Sequence, residues 1–232
     1  MLEQLKEEVW KANLDLVKYH LVTLTWGNVS GINRSSGLIV IKPSGVEYDL
    51  LTMNDMVVVD LNGKVIEGEK RPSTDTATHI ELYKAFQEIG GITHTHSTHA
   101  TMFAQACREI PCLGTTHADY FYGSIPVTRF LTKDEVESGY EINTGKIIIE
   151  TFKELNPISI PGVLVAGHAP FTWGKDAPES VQNGLILERI AEIAIGTFHL
   201  KSDVKKLPQY ICDKHFQRKH GPDSYYGQKE NQ

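Results

Sequence analysis

Residues 56–68 read Met56-Val57-Val58-Val59-Asp60-Leu61-Asn62-Gly63-Lys64-Val65-Ile66-Glu67-Gly68. Two β-rich runs meet at Asn62-Gly63, a pair suited to the positive φ of a tight reversal, so the stretch predicts an antiparallel hairpin. Upstream, residues 23–45 (TLTWGNVSGINRSSGLIVIKPSG) hold two more short β-rich runs split by residues 33–37, a second hairpin. Parallel strands need long crossovers between them, so hairpins of this kind weigh against a doubly wound parallel sheet.

Outward from the hairpins the pattern alternates helix and strand. Leu2, Leu5, Val9, Leu16 and Val17 recur at helical spacing and predict an amphipathic helix over residues 2–20. Ser73, Thr74, Asp75 and Thr76 are natural N-caps for a helix running to about Glu88. Gly90-Gly91 stops it, and residues 92–97 read as a strand followed by a short helix over 100–107. Residues 126–130 suggest a strand after a loop, 146–155 a helix, and 162–168 a buried strand ending in His168, with 169–174 as a rigid turn. Val181, Leu185, Ile190, Ala194 and Phe198 line one face of a long helix over 177–200, and a last helix covers 208–220. The expected fold is α/β: one domain over 1–232, a mostly antiparallel central sheet flanked by helices, and a tail at 221–232.

Composition narrows the function. The 232 residues are 41% hydrophobic and 22% charged, an ordinary globular balance. Lys plus Arg number 23 against 29 Asp plus Glu, a net charge of −6, the wrong sign for a protein that neutralises nucleic-acid phosphates. No apolar run approaches the ~20 residues of a membrane span, and the acidic, mixed N-terminus is no signal peptide. Three cysteines without a CxxC argue against a disulfide framework or a zinc knot, and for a reduced, cytoplasmic setting. Ten histidines make imidazole and carboxylate the expected metal ligands.

His94-Thr95-His96 is the sharpest local signal. In a strand, residues i and i+2 face the same way, so both imidazoles can meet one ion. Taken alone, the pair also fits two surface histidines at a strand end. His168, after the apolar run Val163-Leu164-Val165, is the candidate third ligand and would leave an open position, as a catalytic metal needs; the alternative is a core histidine satisfied by backbone. Asp75 reads locally as a helix cap better than as a ligand or base. Asp119, in an aromatic loop with His117, is a candidate proton-transfer group whose pKa apolar neighbours would raise, or a loop aspartate closing its own turn. Gly27-Asn28, Ser44-Gly45 and Ser73-Thr74 offer backbone N–H groups or hydroxyls to an anion, with Lys42 and Arg71 two residues upstream of the latter pairs. Each is an ordinary turn unless something brings them together. His215, Arg218 and the tyrosines at 225 and 226 make an unusual chain end, suited to docking against another subunit or simply frayed.

Seven motifs in order, LVTLTWGNVSG (21–31), VIKPSGVEYD (40–49), RPSTDTATH (71–79), GGITHTHSTHAT (90–101), GTTHADYFYG (114–123), GVLVAGHAPFTWGK (162–175) and YYGQ (225–228), carry a resemblance that runs end to end. The chain resembles the L-ribulose-5-phosphate 4-epimerase family of the class II aldolase and epimerase superfamily. The resemblance implies a divalent metal, zinc or manganese, on His94, His96 and His168 with Asp75 in the ligand shell. It implies a sugar-phosphate substrate held by Gly27, Asn28, Ser44, Gly45, Ser73 and Thr74, and an acid–base pair of Asp119 and Tyr226, with Lys42, His117, His215 and Arg218 nearby. It further implies a homotetramer whose active sites, including Tyr226 and the tail, are shared between neighbours, with no nucleic-acid or membrane partner. Many relatives read His-Ser-His before Gly-Pro-Phe. Here the segment is Ala166-Gly167-His168 before Ala-Pro-Phe, which keeps the ligand but drops the first histidine.

Three rivals remain. An aldolase of the same superfamily would release the two fragments, although sugar-1-phosphate aldolases typically place glutamate where Asp75 stands. HTHSTH resembles the HxHxDH of metallo-β-lactamase-like hydrolases, but Thr98 stands in place of the metal-binding aspartate. A sugar-phosphate-binding protein without catalysis would have no need of Asp119 and Tyr226.

Overall fold

β3 (Val57–Asp60) and β4 (Val65–Glu67) form the hairpin that Asn62-Gly63 predicts. Gly63 takes φ 81°, and Asp60 Oδ1 accepts the N–H groups of Asn62 (2.8 Å) and Lys64 (2.9 Å), closing the turn with a side chain. The computed structural model describes residues 2–222, 224 and 225. β1 (Asn28–Asn33) and β2 (Leu38–Ile41) make the second expected hairpin, and β5 (Gly91–His94), β6 (Gly162–Leu164) and β7 (Pro170–Gly174) complete a seven-stranded sheet. Its order is β4-β3-β2-β1-β5-β7-β6, with every neighbouring pair antiparallel.

Side-chain alternation splits the core between the two faces. Val29, Val40 and Val58 pack with Val9, Ala12 and Leu16 of α1 (Leu2–Lys18) and with Ala177 and Val181 of α6 (Ala177–Leu200). Ile39, Val57, Val59 and Ile92 point the other way, into a cluster with Ile80, Leu82 and Tyr83 of α2 (Thr76–Ala85) and Ile147 and Ile148 of α5 (Lys133–Thr151). α3 (Thr98–Gln105) follows β5, and the short α4 (Thr115–Ala118) packs near α7 (Gln209–His220). No helix among the described residues is long and apolar enough to cross a membrane.

Four local expectations need correction. Residues 126–130 are not a strand: Val127 makes one parallel bridge to Leu164, and the Thr128 hydroxyl then takes the Ala166 N–H (3.0 Å) that a longer ladder would use. Residues 170–174 are a strand rather than a turn; Pro170 occupies its first position, where a missing N–H is tolerated. The helix expected over 146–155 begins at Lys133, started by a Thr132/Glu135 capping box and broken in geometry at Gly139 (φ 151°). β5 stops at His94 and β6 at Leu164, so His96 and His168 both lie beyond the strands expected to carry them.

Candidate active site

The end of β5 nevertheless brings three histidines together. The ligating nitrogens of His94, His96 and His168 all lie within 4.8 Å of one another, and His94 Nε2 is 3.1 Å from His96 Nε2. Two nitrogens bound to one tetrahedral zinc stand about 3.3 Å apart, so the spacing fits. His94 Nδ1 donates to the Pro170 carbonyl (2.9 Å), which leaves its Nε2 lone pair facing the cluster, and Phe171 stacks on the ring at 4.1 Å. Burial, then neighbouring imidazoles, pushes His96 and His168 down to about 4. The His96 and His168 rings are therefore neutral near pH 7 and present basic nitrogens, the form a divalent cation requires.

Asp75 stands at the head of α2, but its side chain does not cap the helix. It turns instead toward β1, where Asn28 Nδ2 donates to Asp75 Oδ2 (2.7 Å) and to Ser73 Oγ (3.1 Å). Burial would lift the Asp75 carboxyl, yet nearby His94 and His79 and the Asn28 bond outweigh it and hold the group below the usual range. Asp75 is not part of the close three-nitrogen group; its carboxylate sits beside it. Asn28 pairs with His94 across β1 and β5, so strand register alone delivers Gly27 and Asn28 to the cluster. Among the described residues, Asn28 Oδ1 is buried with no hydrogen-bond partner.

The other small-residue segments converge as well. Ser44 N–H donates to Arg71 O (2.9 Å), Ser73 N–H to Lys42 O (3.0 Å), and Pro43 bridges Pro72. Ser44-Gly45 and Ser73-Thr74 thus lie side by side, and Asn28 ties the second pair to the histidines. Lys42 is buried, with its ammonium 4.7 Å from the centre of the Tyr48 ring, and burial pushes it down to about 8. Tyr48 OH reaches the carbonyls of Trp26 (2.9 Å) and Gly27 (3.0 Å), bracing the same loop.

A protein-family model, the class II aldolase and adducin N-terminal domain, matches residues 7–195. The chain belongs to this family. Among solved structures, an L-fuculose 1-phosphate aldolase is 26% identical over 93% of this chain and 95% of its own, with a TM-score of 0.79. A putative aldolase/epimerase/decarboxylase from Klebsiella pneumoniae (24% identity, 92% and 99% coverage, TM-score 0.73) and an L-fuculose-1-phosphate aldolase from Thermus thermophilus (22%, 88% and 99%, 0.68) share the fold.

In this class II aldolase-like chain, Asp119 is engaged by α7. At the end of α4 its Oδ1 accepts from His215 Nδ1 (3.0 Å) and Arg218 Nε (3.0 Å), and Oδ2 accepts from Arg218 Nη2 (2.8 Å). Burial raises the Asp119 carboxyl, but the hydrogen bonds from Arg218 and His215 and the Arg218 charge outweigh it, so the net shift is downward, opposite to the rise that apolar neighbours would give. None of its hydrogen bonds or ion pairs reaches the histidine cluster, among the described residues. His117 donates through Nε2 to Gly123 O (2.7 Å) and is packed inward. Tyr226, and most of the tail with it, lies outside the described residues.

Two residues beside the histidines escaped the sequence reading. Tyr140 OH stands 3.4 Å from His168 Nδ1, and the Trp26 ring lies 5.9 Å from that of His96. Trp26 directly precedes Gly27 inside a quoted motif, a usable signal. Tyr140 had none, because Gly139 interrupts the helical period just before it.

Proposed function

We propose that this chain epimerises L-ribulose 5-phosphate at C4 to D-xylulose 5-phosphate by breaking and remaking the C3–C4 bond. The C4–H of a 2-ketose is not α to the carbonyl, so removing that proton yields no enolate. Cleaving C3–C4 instead gives the enediolate of dihydroxyacetone and glycolaldehyde phosphate. The aldehyde turns, re-adds through its other face, and C4 is inverted. The observation that carries the reading is an aspartate, Asp75, held by Asn28 beside the three histidines, where the superfamily's sugar-1-phosphate aldolases typically carry glutamate.

His94, His96 and His168 would hold the ion with Asp75 beside them; when bound, zinc or manganese supplies Lewis acidity toward the negative charge that develops as C3–C4 breaks. Gly27, Asn28, Ser44, Gly45, Ser73 and Thr74 take the substrate, chiefly its phosphate, with Lys42 as a buried cation behind them. Asp119 and Tyr226 handle the proton on O4 in its two orientations. The site is shared between copies, one supplying the cluster and Asp119 and its neighbour supplying Tyr226; the engagement of Asp119 with α7 ties it to the helix that leads into the tail. The assembly is then a homo-oligomer, a tetramer, with residues 221–232 at the interface.

The second reading, a sugar-phosphate aldolase, is favoured by the similarity to an L-fuculose 1-phosphate aldolase. Metal-reconstituted protein given L-ribulose 5-phosphate separates the two. D-xylulose 5-phosphate is the expected product; accumulating glycolaldehyde phosphate assigns the aldolase, and no turnover rejects both for this substrate. Tyr226→Phe is expected to slow epimerisation with metal content unchanged.

A further inference from the structure

Ser97 occupies the N-cap position of α3, yet its side chain caps nothing. The cap comes from α6. Glu188 Oε1 accepts the backbone N–H of His99 (2.9 Å) and Oε2 that of Ala100 (2.9 Å), while Oε1 also accepts from His99 Nδ1 (2.8 Å). One carboxylate with three bonds at a helix N-terminus is a firm anchor, because the exposed backbone donors there favour negative charge.

Ser180, Gly184 and Glu188 recur every four residues and so share one face of α6. Ser180 Oγ meets Thr93 Oγ1 (2.7 Å), and Ser180 O accepts from Thr172 Oγ1 (2.9 Å). A Cβ on Gly184 would stand 3.2 Å from Thr172 Oγ1, so the small residue keeps the helix close to the sheet. This one stripe therefore touches the residue before His94, the strand whose Phe171 stacks on His94, and the helix that starts just after His96. Between those points the chain has little support of its own: Thr95 N–H reaches Pro170 O only at 3.5 Å.

We infer that Glu188 is a positioning residue for the metal centre: by anchoring the N-terminus of α3 to α6, it sets where His96 stands against His94. The inference rests on reading the three histidines as metal ligands. Glutamine keeps the shape of Glu188 but offers one acceptor oxygen instead of two and turns an N–H toward a backbone donor.

The test compares wild type, Glu188→Gln, Glu188→Asp and Asp176→Asn for zinc affinity, by competition with a chromogenic chelator, and for the visible spectrum of the cobalt(II)-loaded protein. Asp176 caps α6 at its other end, accepting the Glu179 N–H (2.8 Å); Asn keeps an accepting oxygen there but removes the carboxylate, so the variant controls for loss of a charge on α6 away from α3. Glu188→Gln is expected to weaken zinc binding about 10- to 100-fold and to shift the cobalt bands, as loss of a ligand-orienting partner does. Glu188→Asp should fall between it and wild type, and Asp176→Asn should match wild type in both readouts whatever its thermal midpoint. Unchanged affinity and spectrum in Glu188→Gln, or an equal loss in Asp176→Asn, overturns the proposal alone. Wild-type protein that takes up no zinc overturns the metal reading and this proposal together.

Discussion

Arg218 grips Asp119 through two parallel bonds, Nε to Oδ1 at 3.0 Å and Nη2 to Oδ2 at 2.8 Å, and His215 adds a third at 3.0 Å. The planar guanidinium fork suits this pairing, whereas an ammonium offers a point charge and cannot reproduce both bonds. Burial works to raise the Asp119 carboxyl, and the Arg218 fork is the largest influence holding it down. In Arg218→Lys that hold weakens, so Asp119 gives up its proton only at higher pH. If ionised Asp119 is the base, the acid limb of the kcat/KM profile moves to higher pH in this variant. A limb that stays in place removes Asp119 from that role.

The histidine cluster makes a separate prediction. His94 is fixed by Pro170 O with its Nε2 turned inward, and His96 completes the close pair. His96→Asn leaves two imidazoles, too few to define the site. Elemental analysis of the purified variant is expected to find most of the wild type's metal gone, and chelator treatment of wild type should abolish turnover until zinc or manganese is restored. A fully metallated, active His96→Asn protein sinks the assignment.

Gly167 holds φ 69° immediately before His168, and a Cβ there would stand 2.7 Å from the Phe130 ring. Alanine pays for the left-handed backbone, about 1–2 kcal/mol, and for the collision besides. Denaturant unfolding should show Gly167→Ala destabilised by at least that much. Adding Phe130→Ala relieves the collision but not the backbone, so the double variant should recover only part of the loss. Full recovery would mean that the backbone conformation costs nothing.

Much of this architecture was legible because short-range chemistry dictates it. Asn62-Gly63 and residues 33–37 announced their hairpins, and the apolar stripe from Val181 to Phe198 lies within α6, whose observed bounds are those expected. The failures share a cause: local patterns that tertiary partners override. Pro170 looked like a turn former, yet the strand it heads is sandwiched between β5 and β6. Asp75 looked like a cap, but Asn28, 47 positions away, claims its carboxylate. Arg218 and His215 were read locally only as part of an unusual chain end, since no spacing rule relates Asp119 to a helix about a hundred residues later. The expected rise in the Asp119 pKa failed for the same reason: the aromatic neighbours are visible in sequence, and the distant Arg218 and His215 are not.

His117 offers a pH test away from the candidate ligands. Its Nε2–H donates to Gly123 O at 2.7 Å, Phe121 stands against the ring, and its Nδ1 is buried without a partner among the described residues, so a second proton finds no bond there. Burial pushes the group down to about 4, against the opposing pull of the Gly123 bond. In the unfolded chain it titrates near 6.5. Between those values the unfolded state holds the extra proton, so stability falls as the pH is lowered through the window. Above about 6.5 the contribution is fully present, and below about 4 it no longer changes. Glutamine at 117 keeps a donor for Gly123 O and cannot titrate. Denaturant unfolding at equal chain concentration should therefore show His117→Gln losing less stability between pH 6 and 5, by about 1 kcal/mol, just under the limit for one whole proton per pH unit. If both proteins lose stability equally steeply, His117 is not the buried neutral imidazole described.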